Sequence, residues 1–280
     1  MQINFERAEH RYRQALPTLR YWMEVEVHVY AFSVAANVLL SFYPFLLVML
    51  SICRHALRWR AAEQAVYIGL RDYFPGETGE FLVRNLSANV DARGAIQWFS
   101  LLLLLFTANG VFEPLEVALN RAWGIASARS FVRNQLVSLG LILGCGGLVI
   151  LSTLLTAANR DWLARMTSSA STLSALSLVV FKIAAVPTTI FVLFLIYWLL
   201  PNGPVPWRLA FQTAFYVGLA LEALKYLNLL LWPLLRAKLE QEYGPFVNSA
   251  TILVLSFFGA LIMMAGAEYA ARKQRETVDS

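Results

Sequence analysis

The chain has 280 residues, of which 58% are hydrophobic and only 15% are charged, and its mean hydropathy is +0.56. Soluble domains carry about 25% charged residues, so this composition excludes an ordinary soluble fold and favours a membrane protein. The net charge of +5 is spread over all polar segments without a basic stripe, which argues against nucleic-acid binding. The two cysteines predict no disulfide framework, and with three histidines no metal-ligand spacing occurs.

The first element in chain order is a charged, amphipathic segment at residues 1–26, which predicts a helix lying on the membrane surface. No small-residue cleavage site follows a short apolar core, so we expect no cleavable secretion signal. Beyond it, long apolar runs alternate with polar segments. A helix of about 20 apolar residues crosses a bilayer. The predicted spans are residues 27–52, 95–112, 135–158, 174–200, 207–235 and 247–270.

These runs predict an all-α integral membrane bundle of six transmembrane helices in one domain, residues 27–270, with a basic tail at 271–280. The polar segment 53–93 predicts short amphipathic helices packed on the membrane surface. An even number of spans puts both termini on one side of the membrane. Lys and Arg in the short loops favour the cytoplasm for that side, because long loops count little in the positive-inside rule.

Proline and glycine mark kinks, turns and packing positions along the spans. Pro44 and Pro187 fall inside predicted spans and predict kinks, whereas Pro201 and Asn202 open a tight turn before the fifth span. Gly140 and Gly144 have the small-xxx-small spacing that lets a neighbouring helix approach closely. These features are compatible with a homo-oligomer and with a monomer.

The stretch Ser100–Trp123 begins as a leucine run and ends in a polar block. Glu113, Glu116 and Asn120 are spaced i, i+3 and i+7, so on a helix they share one face. Pro114 fits the first turn of a helix better than its interior, which predicts that a new short helix begins there. The alternative interpretation is an ordinary membrane-exit segment whose polar face meets water and lipid headgroups.

Polar and charged residues also occur inside the apolar runs, where a charge costs from about 2.5 kcal/mol upward. Glu222 and Lys225 lie mid-span at i and i+3 and can pair on one helix face, and Glu268 lies near the end of the sixth span. One interpretation is a polar pathway through the membrane. Its candidate lining residues are Asn37, Asn109, Glu113, Glu116, Asn120, Glu222, Lys225 and Glu268. The other interpretation is that these residues form interhelical hydrogen bonds and one ion pair that fix helix register.

Five short motifs resemble the YihY/BrkB family of bacterial inner-membrane proteins, once misleadingly labelled ribonuclease BN. They are Ser41-Phe-Tyr-Pro44, Glu113-Pro-Leu-Glu-Val-Ala-Leu-Asn-Arg-Ala-Trp123, Leu199-Leu-Pro-Asn202, Tyr243-Gly244 and Gly266-Ala-Glu268. They occur in family order over most of the chain. The resemblance implies a six-helix protein of the bacterial inner membrane that acts as a transporter or an envelope factor.

The main functional hypothesis is translocation of an amphipathic or anionic molecule, a lipid or lipid-linked precursor, with membrane lipids as partners. A membrane scaffold that recruits envelope machinery through residues 53–93 is the alternative, and a membrane-associated ribonuclease is the third idea. We expect neither enzymatic activity nor a cofactor, because the sequence has no phosphate-binding loop, nucleophile elbow or metal-binding helix motif.

Overall fold

The regular structure of the chain is helical. The computed structural model describes residues 20–21, 23–56, 58–74, 76–90, 95–126, 129–130, 132–134, 136–138, 140–142, 144–148 and 186–278, and within them no strand occurs. The surface helix predicted for residues 1–26 therefore lies mostly outside the described residues, as do parts of the third and fourth predicted spans and residues 279–280.

The described residues form α-helices, which are numbered in chain order. They are α1 (Val25–Ser51), α2 (Arg60–Tyr73), α3 (Glu77–Asn89), α4 (Ala95–Trp123), α5 (the described part of Val132–Leu148), α6 (Val186–Leu199), α7 (Trp207–Tyr243) and α8 (Val247–Val278). A π-helical turn, Ile52–Ala56, continues α1, and a 3-10 turn, Gly244–Phe246, joins α7 to α8.

Three of these helices are long and apolar enough to cross a membrane. They are the stretch Glu26–His55, which is α1 with its π turn, then α7, and Val247–Glu276 in α8. Long apolar helices of this kind satisfy every backbone polar group internally, which lipid requires. The described parts of α5 and α6 are apolar but shorter. The chain is therefore an all-helical membrane protein in the part described, and six spans stay a prediction.

The long helices pack into one bundle. Helix α1 contacts α4 and α8, and α8 also contacts α7 and α4. Their shared core contains Val34, Leu119, Tyr197, Val217 and Met264. A second core forms where the end of α1 meets α2 and α3, through Leu50, Leu70 and Leu86 among others. The segment after the first span thus folds as a layer of two amphipathic helices against the end of α1.

Helix α4 departs from the sequence-based prediction at Pro114. The prediction that a new helix begins there is wrong, because α4 continues from Ala95 to Trp123 with Pro114 inside it. An interior proline removes one backbone hydrogen bond and crowds the carbonyl four residues earlier, which here belongs to Gly110. Contacts of α4 with α1 and α8 hold the helix through this point, as neighbouring helices do for prolines in membranes.

Candidate functional site

A buried ion pair lies on α7. Glu222 Oε2 lies 2.7 Å from Lys225 Nζ, and their side chains are only 11% and 8% exposed. Asn228 is buried three residues further along, and Lys225 Nζ also lies 5.2 Å from the centre of the Tyr226 ring. We call Glu222, Lys225 and Asn228 the α7 polar cluster. Helix geometry places Glu222, 15 residues after Trp207, about 22 Å from the start of α7.

Much of the remaining surface of α7 is apolar and exposed. Its exposed residues include Phe215, Tyr216, Leu219, Leu227, Leu230 and Leu234. This distribution, with charges inside and large hydrophobic side chains outside, is the reverse of that in a soluble helix and suits a helix surrounded by lipid. The α7 polar cluster therefore faces the bundle interior rather than acyl chains.

A second polar group joins the carboxyl end of α4 to the turn before α7. Asn120 Oδ1 accepts a hydrogen bond of 2.7 Å from the Asn202 N–H. Arg129 donates to the carbonyl oxygens of Leu199, Leu200 and Pro201 at 3.2, 3.3 and 2.5 Å. These bonds satisfy carbonyl groups that the end of α6 leaves without helical partners. Two of the family-like motifs, far apart in sequence, thus meet at this turn.

Glu116 contributes a buried carboxylate to this end of the bundle. It is 5% exposed, and among the described residues its Oε2 atom has no hydrogen-bond partner. Burial lowers the pKa of the Arg129 guanidinium, and the Glu116 carboxylate opposes that shift. Glu113 is exposed instead. The predicted shared face of Glu113, Glu116 and Asn120 is therefore only partly buried, because Glu116 and Asn120 point into the protein and Glu113 does not.

Glu268 lies at the same end as Glu116, near the start of α1. Burial raises the pKa of Tyr21 to about 12, and the Glu24 and Glu268 carboxylates add to that rise. Arg121 of α4 forms an ion pair with Glu26 of α1. Arg275 of α8 donates 2.5 Å to the Ala122 carbonyl oxygen at the end of α4. Charged groups therefore connect α1, α4 and α8 at this end of the bundle, away from the α7 polar cluster.

Asn37 lies at the contact between α1 and α4. Its Nδ2 donates 2.9 Å to the Ser33 carbonyl oxygen, and its side chain fills the space that a Cβ on Gly110 would occupy. Gly110 therefore permits the close approach of these helices. The side chain of Asn109, the next candidate along the predicted pathway, lies outside the described part of the structure.

The remaining predicted positions are placed as follows. Pro44 is buried within α1, and Pro187 is exposed near the start of the described part of α6. Pro201 is fully buried in the turn that Arg129 and Asn120 hold. A Cβ added at Gly140 or Gly144 would meet no heavy atom within 4 Å in the described structure. The close helix contacts that the structure does describe occur at Gly110, Gly218 and Gly266 instead.

Two residues that join helices were not among the sequence-based candidates. Arg129 holds the turn after α6, and Tyr197 is fully buried with its hydroxyl donating 2.7 Å to the Met263 carbonyl oxygen of α8. A tyrosine within an aliphatic run is a signal that could have pointed to Tyr197, because a buried hydroxyl needs a partner. Arg129 carries no comparable signal, since its partners are backbone carbonyl groups.

The Asn120–Asn202 bond gives a first testable prediction. We expect Asn120→Ala to lower the free energy of unfolding by about 1–3 kcal/mol, because it removes the acceptor of the Asn202 N–H at a buried turn. Asn120→Asp keeps an acceptor oxygen at the same position and serves as the control. Chemical denaturation in a neutral detergent measures both variants. If the alanine variant unfolds like the wild type, the bond does not stabilise the turn.

Within the residues placed by the structure, no three His, Cys, Asp or Glu side chains lie together as metal ligands. The fold and its polar groups define an all-α integral membrane protein with a charged pair buried in a membrane-spanning helix.

The family model described as Virulence factor BrkB matches residues 18–280, so the chain belongs to the BrkB family. This match confirms the resemblance carried by the five motifs. No curated protein and no solved structure matches the chain.

Proposed function

We propose that this protein translocates an amphipathic anionic molecule, a lipid or a lipid-linked precursor, across the bacterial inner membrane. The proposal includes six spans, both termini in the cytoplasm and no enzymatic activity. The observation that carries it is the buried Glu222–Lys225 pair, which lies well inside a long helix with an apolar outer face.

Stability alone does not explain why the Glu222–Lys225 ion pair is buried. Replacing a buried ion pair by apolar residues is often neutral or stabilising, because the attraction between the charges barely offsets their lost hydration. Polar contacts between membrane helices average only about 0.6 kcal/mol in measured cases. Ionisable residues inside a membrane more often belong to substrate or ion pathways. The α7 polar cluster therefore favours a transport role.

The pair also suggests how an anion would be recognised. In this structure Glu222 is the counter-ion of Lys225, and both are nearly inaccessible. In the proposed mechanism, the helices separate and the anionic headgroup replaces Glu222 as the partner of Lys225. The headgroup then crosses the middle of the bilayer beside a compensating charge, while its acyl chains stay in the surrounding lipid. Asn228, buried one turn further, supplies a hydrogen-bonding group along the same face.

Reconstitution into liposomes tests the proposal. Vesicles carry a trace of fluorescent phosphatidylglycerol or phosphatidylcholine, and a membrane-impermeant reductant reports how fast the inner-leaflet lipid becomes accessible. We expect the protein to speed the exchange of the anionic lipid, and Glu222→Gln/Lys225→Met, which removes the cation that would pair with the headgroup, to slow it. Exchange no faster than in protein-free vesicles, for every lipid and solute tried, would contradict the proposal.

A scaffold function is the second candidate, and the layer formed by α2 and α3 favours it. Ion pairs fix this layer: Arg54 with Glu63, Arg71 with Glu80, and Arg236 of α7 with Glu77. A rigid polar surface of this kind is suited to binding another protein. If substitutions on the exposed face of α3 abolish function in cells while Glu222→Gln does not, the scaffold replaces the transporter.

A further inference from the structure

A polar cleft opens where α1 ends and α2 begins. It encloses about 670 Å³ and is lined by Arg54, Arg58, Arg60, Glu63, Gln64 and Tyr67. Small-molecule sites usually enclose about 300–1,000 Å³, so the cleft is large enough for a compact ligand. It is separate from the α7 polar cluster and from the Asn120 turn.

The cleft contains one fixed arginine. Arg54 Nε donates 3.0 Å to Glu63 Oε2, and a second guanidinium nitrogen binds the other carboxylate oxygen. The Tyr67 hydroxyl donates 3.0 Å to Glu63 Oε1, and Glu63 is buried. A carboxylate held by a bidentate arginine and a tyrosine is neutralised and rigid. Glu63 therefore orients the wall of the cleft and does not cancel the charge of its neighbours.

Two further arginines give the cleft a positive charge. Arg58 and Arg60 are exposed, and among the described residues no carboxylate pairs with either of them. Three arginines and one glutamate line the cleft, which leaves a net charge of 3 − 1 = +2. Arg58 also has a φ of 52°, a backbone conformation that is unfavourable for a side chain of this size. Such outliers cluster at binding sites, where the surrounding structure imposes them.

The cleft directly follows the first candidate span, and we infer from this that it lies at the level of the lipid headgroups. The apolar stretch of the first span ends at His55, and Arg60 begins α2. Helix α2 buries Ala62, Val66 and Leu70 on one face against the rest of the protein. The positive end of its dipole adds to the charge of Arg60. The cleft is therefore deep, positively charged and lined by hydrogen-bond donors, and it lies at the inferred level of the bilayer phosphate groups.

We propose that this cleft is a phosphate-binding site in which Arg58 and Arg60 bind the phosphate group and the Arg54–Glu63–Tyr67 wall positions it. Guanidinium groups bind phosphate oxygens through two parallel charge-assisted hydrogen bonds, which ammonium groups do not reproduce. A phospholipid headgroup and free inorganic phosphate present the same chemistry. The proposal is independent of translocation, since the site binds phosphate whether or not the protein transports lipid.

Calorimetric titration of the full-length protein in an uncharged detergent tests the site. The probes are dioctanoyl phosphatidic acid, dioctanoyl phosphatidylcholine and inorganic phosphate. The test variant is Arg58→Gln/Arg60→Gln, and the control Arg84→Gln/Arg208→Gln removes the same charge from exposed positions outside the cleft. Arg58→Lys/Arg60→Lys keeps the charge without the bidentate geometry. Equal unfolding temperatures establish that the variants are folded.

We expect the test variant to bind phosphatidic acid about tenfold more weakly than the wild type, and the control variant to bind within about twofold of it. The lysine variant is expected to fall between them. Tighter binding of phosphatidic acid than of inorganic phosphate identifies a lipid headgroup as the source, and the reverse order identifies free phosphate. Wild-type protein that binds no phosphate-containing probe, or equal weakening in the test and control variants, overturns the proposal.

Discussion

Lys225→Met is expected to destabilise the protein by about 3–5 kcal/mol, because it leaves the Glu222 carboxylate buried without its counter-ion. Both side chains of the pair are nearly inaccessible, so water cannot solvate the remaining charge. The free energy of unfolding in detergent measures the loss. Lys238→Met on the same helix is the matched control, because Lys238 is 72% exposed and lies 3.8 Å from Glu242 near the end of α7. Surface pairs of that kind contribute about 0–1 kcal/mol.

The double variant Glu222→Gln/Lys225→Met separates a structural role from a transport role. It removes both charges, so we expect its stability to return to within about 1 kcal/mol of the wild type. If Lys225 recognises an anionic headgroup, lipid exchange in liposomes stays lost despite the restored stability. Recovered exchange would show that the pair only holds helix register, and would remove the main support for translocation.

Gly266→Ala is expected to destabilise the protein by about 1–3 kcal/mol through overpacking between α7 and α8. A Cβ at this position would lie well inside contact distance of Val217 Cγ2, and 3.3 Å from the Tyr197 hydroxyl oxygen. Val217 is 4% exposed and, as a β-branched residue in a helix, has essentially one χ1 rotamer. It cannot move aside without disturbing the core around it.

Gly259 of α8 is the matched control for Gly266. A Cβ there would meet only Leu221 Cδ2, at 3.8 Å, which is ordinary van der Waals contact. Gly259→Ala is therefore expected to stabilise the helix by about 0.5–1 kcal/mol, the opposite sign. Val217→Ala combined with Gly266→Ala is expected to lose less stability than the two single changes added together. Equal unfolding free energies for the two glycine variants would contradict the close contact.

Much of the fold follows from local features of the sequence. The apolar runs around residues 27–52, 207–235 and 247–270 correspond to helices that can span a membrane, because lipid leaves the backbone few other structures. The turn at Tyr243-Gly244 is similarly local: Gly244 has a φ of 50°, which glycine adopts without steric cost, and it ends α7. The i, i+3 spacing of Glu222 and Lys225 allowed their pairing to be predicted, since both lie on one helix.

The candidate site was predicted less completely, and the errors share a cause. The local sequence at Pro114 predicts the start of a helix, but α4 continues through Pro114 because it packs on α1 and α8. Glu113 and Glu116 have the same side chain and neighbouring positions, but only Glu116 is buried, because the choice depends on which surface of α4 the other helices cover. The packing role of Gly140 and Gly144 stays a prediction, whereas the described close contacts include those at Gly110, Gly218 and Gly266.

The sequence by itself determined that this is a helical membrane protein of the BrkB family, because solvent preference and family motifs are properties of composition and short segments. Only the tertiary structure decided that Asn120 meets Asn202, that Arg129 holds the end of α6 and that Gly266 faces Val217. Residues in these contacts come from segments far apart in the chain, and their approach depends on how whole helices pack. No periodicity within one segment contains that information.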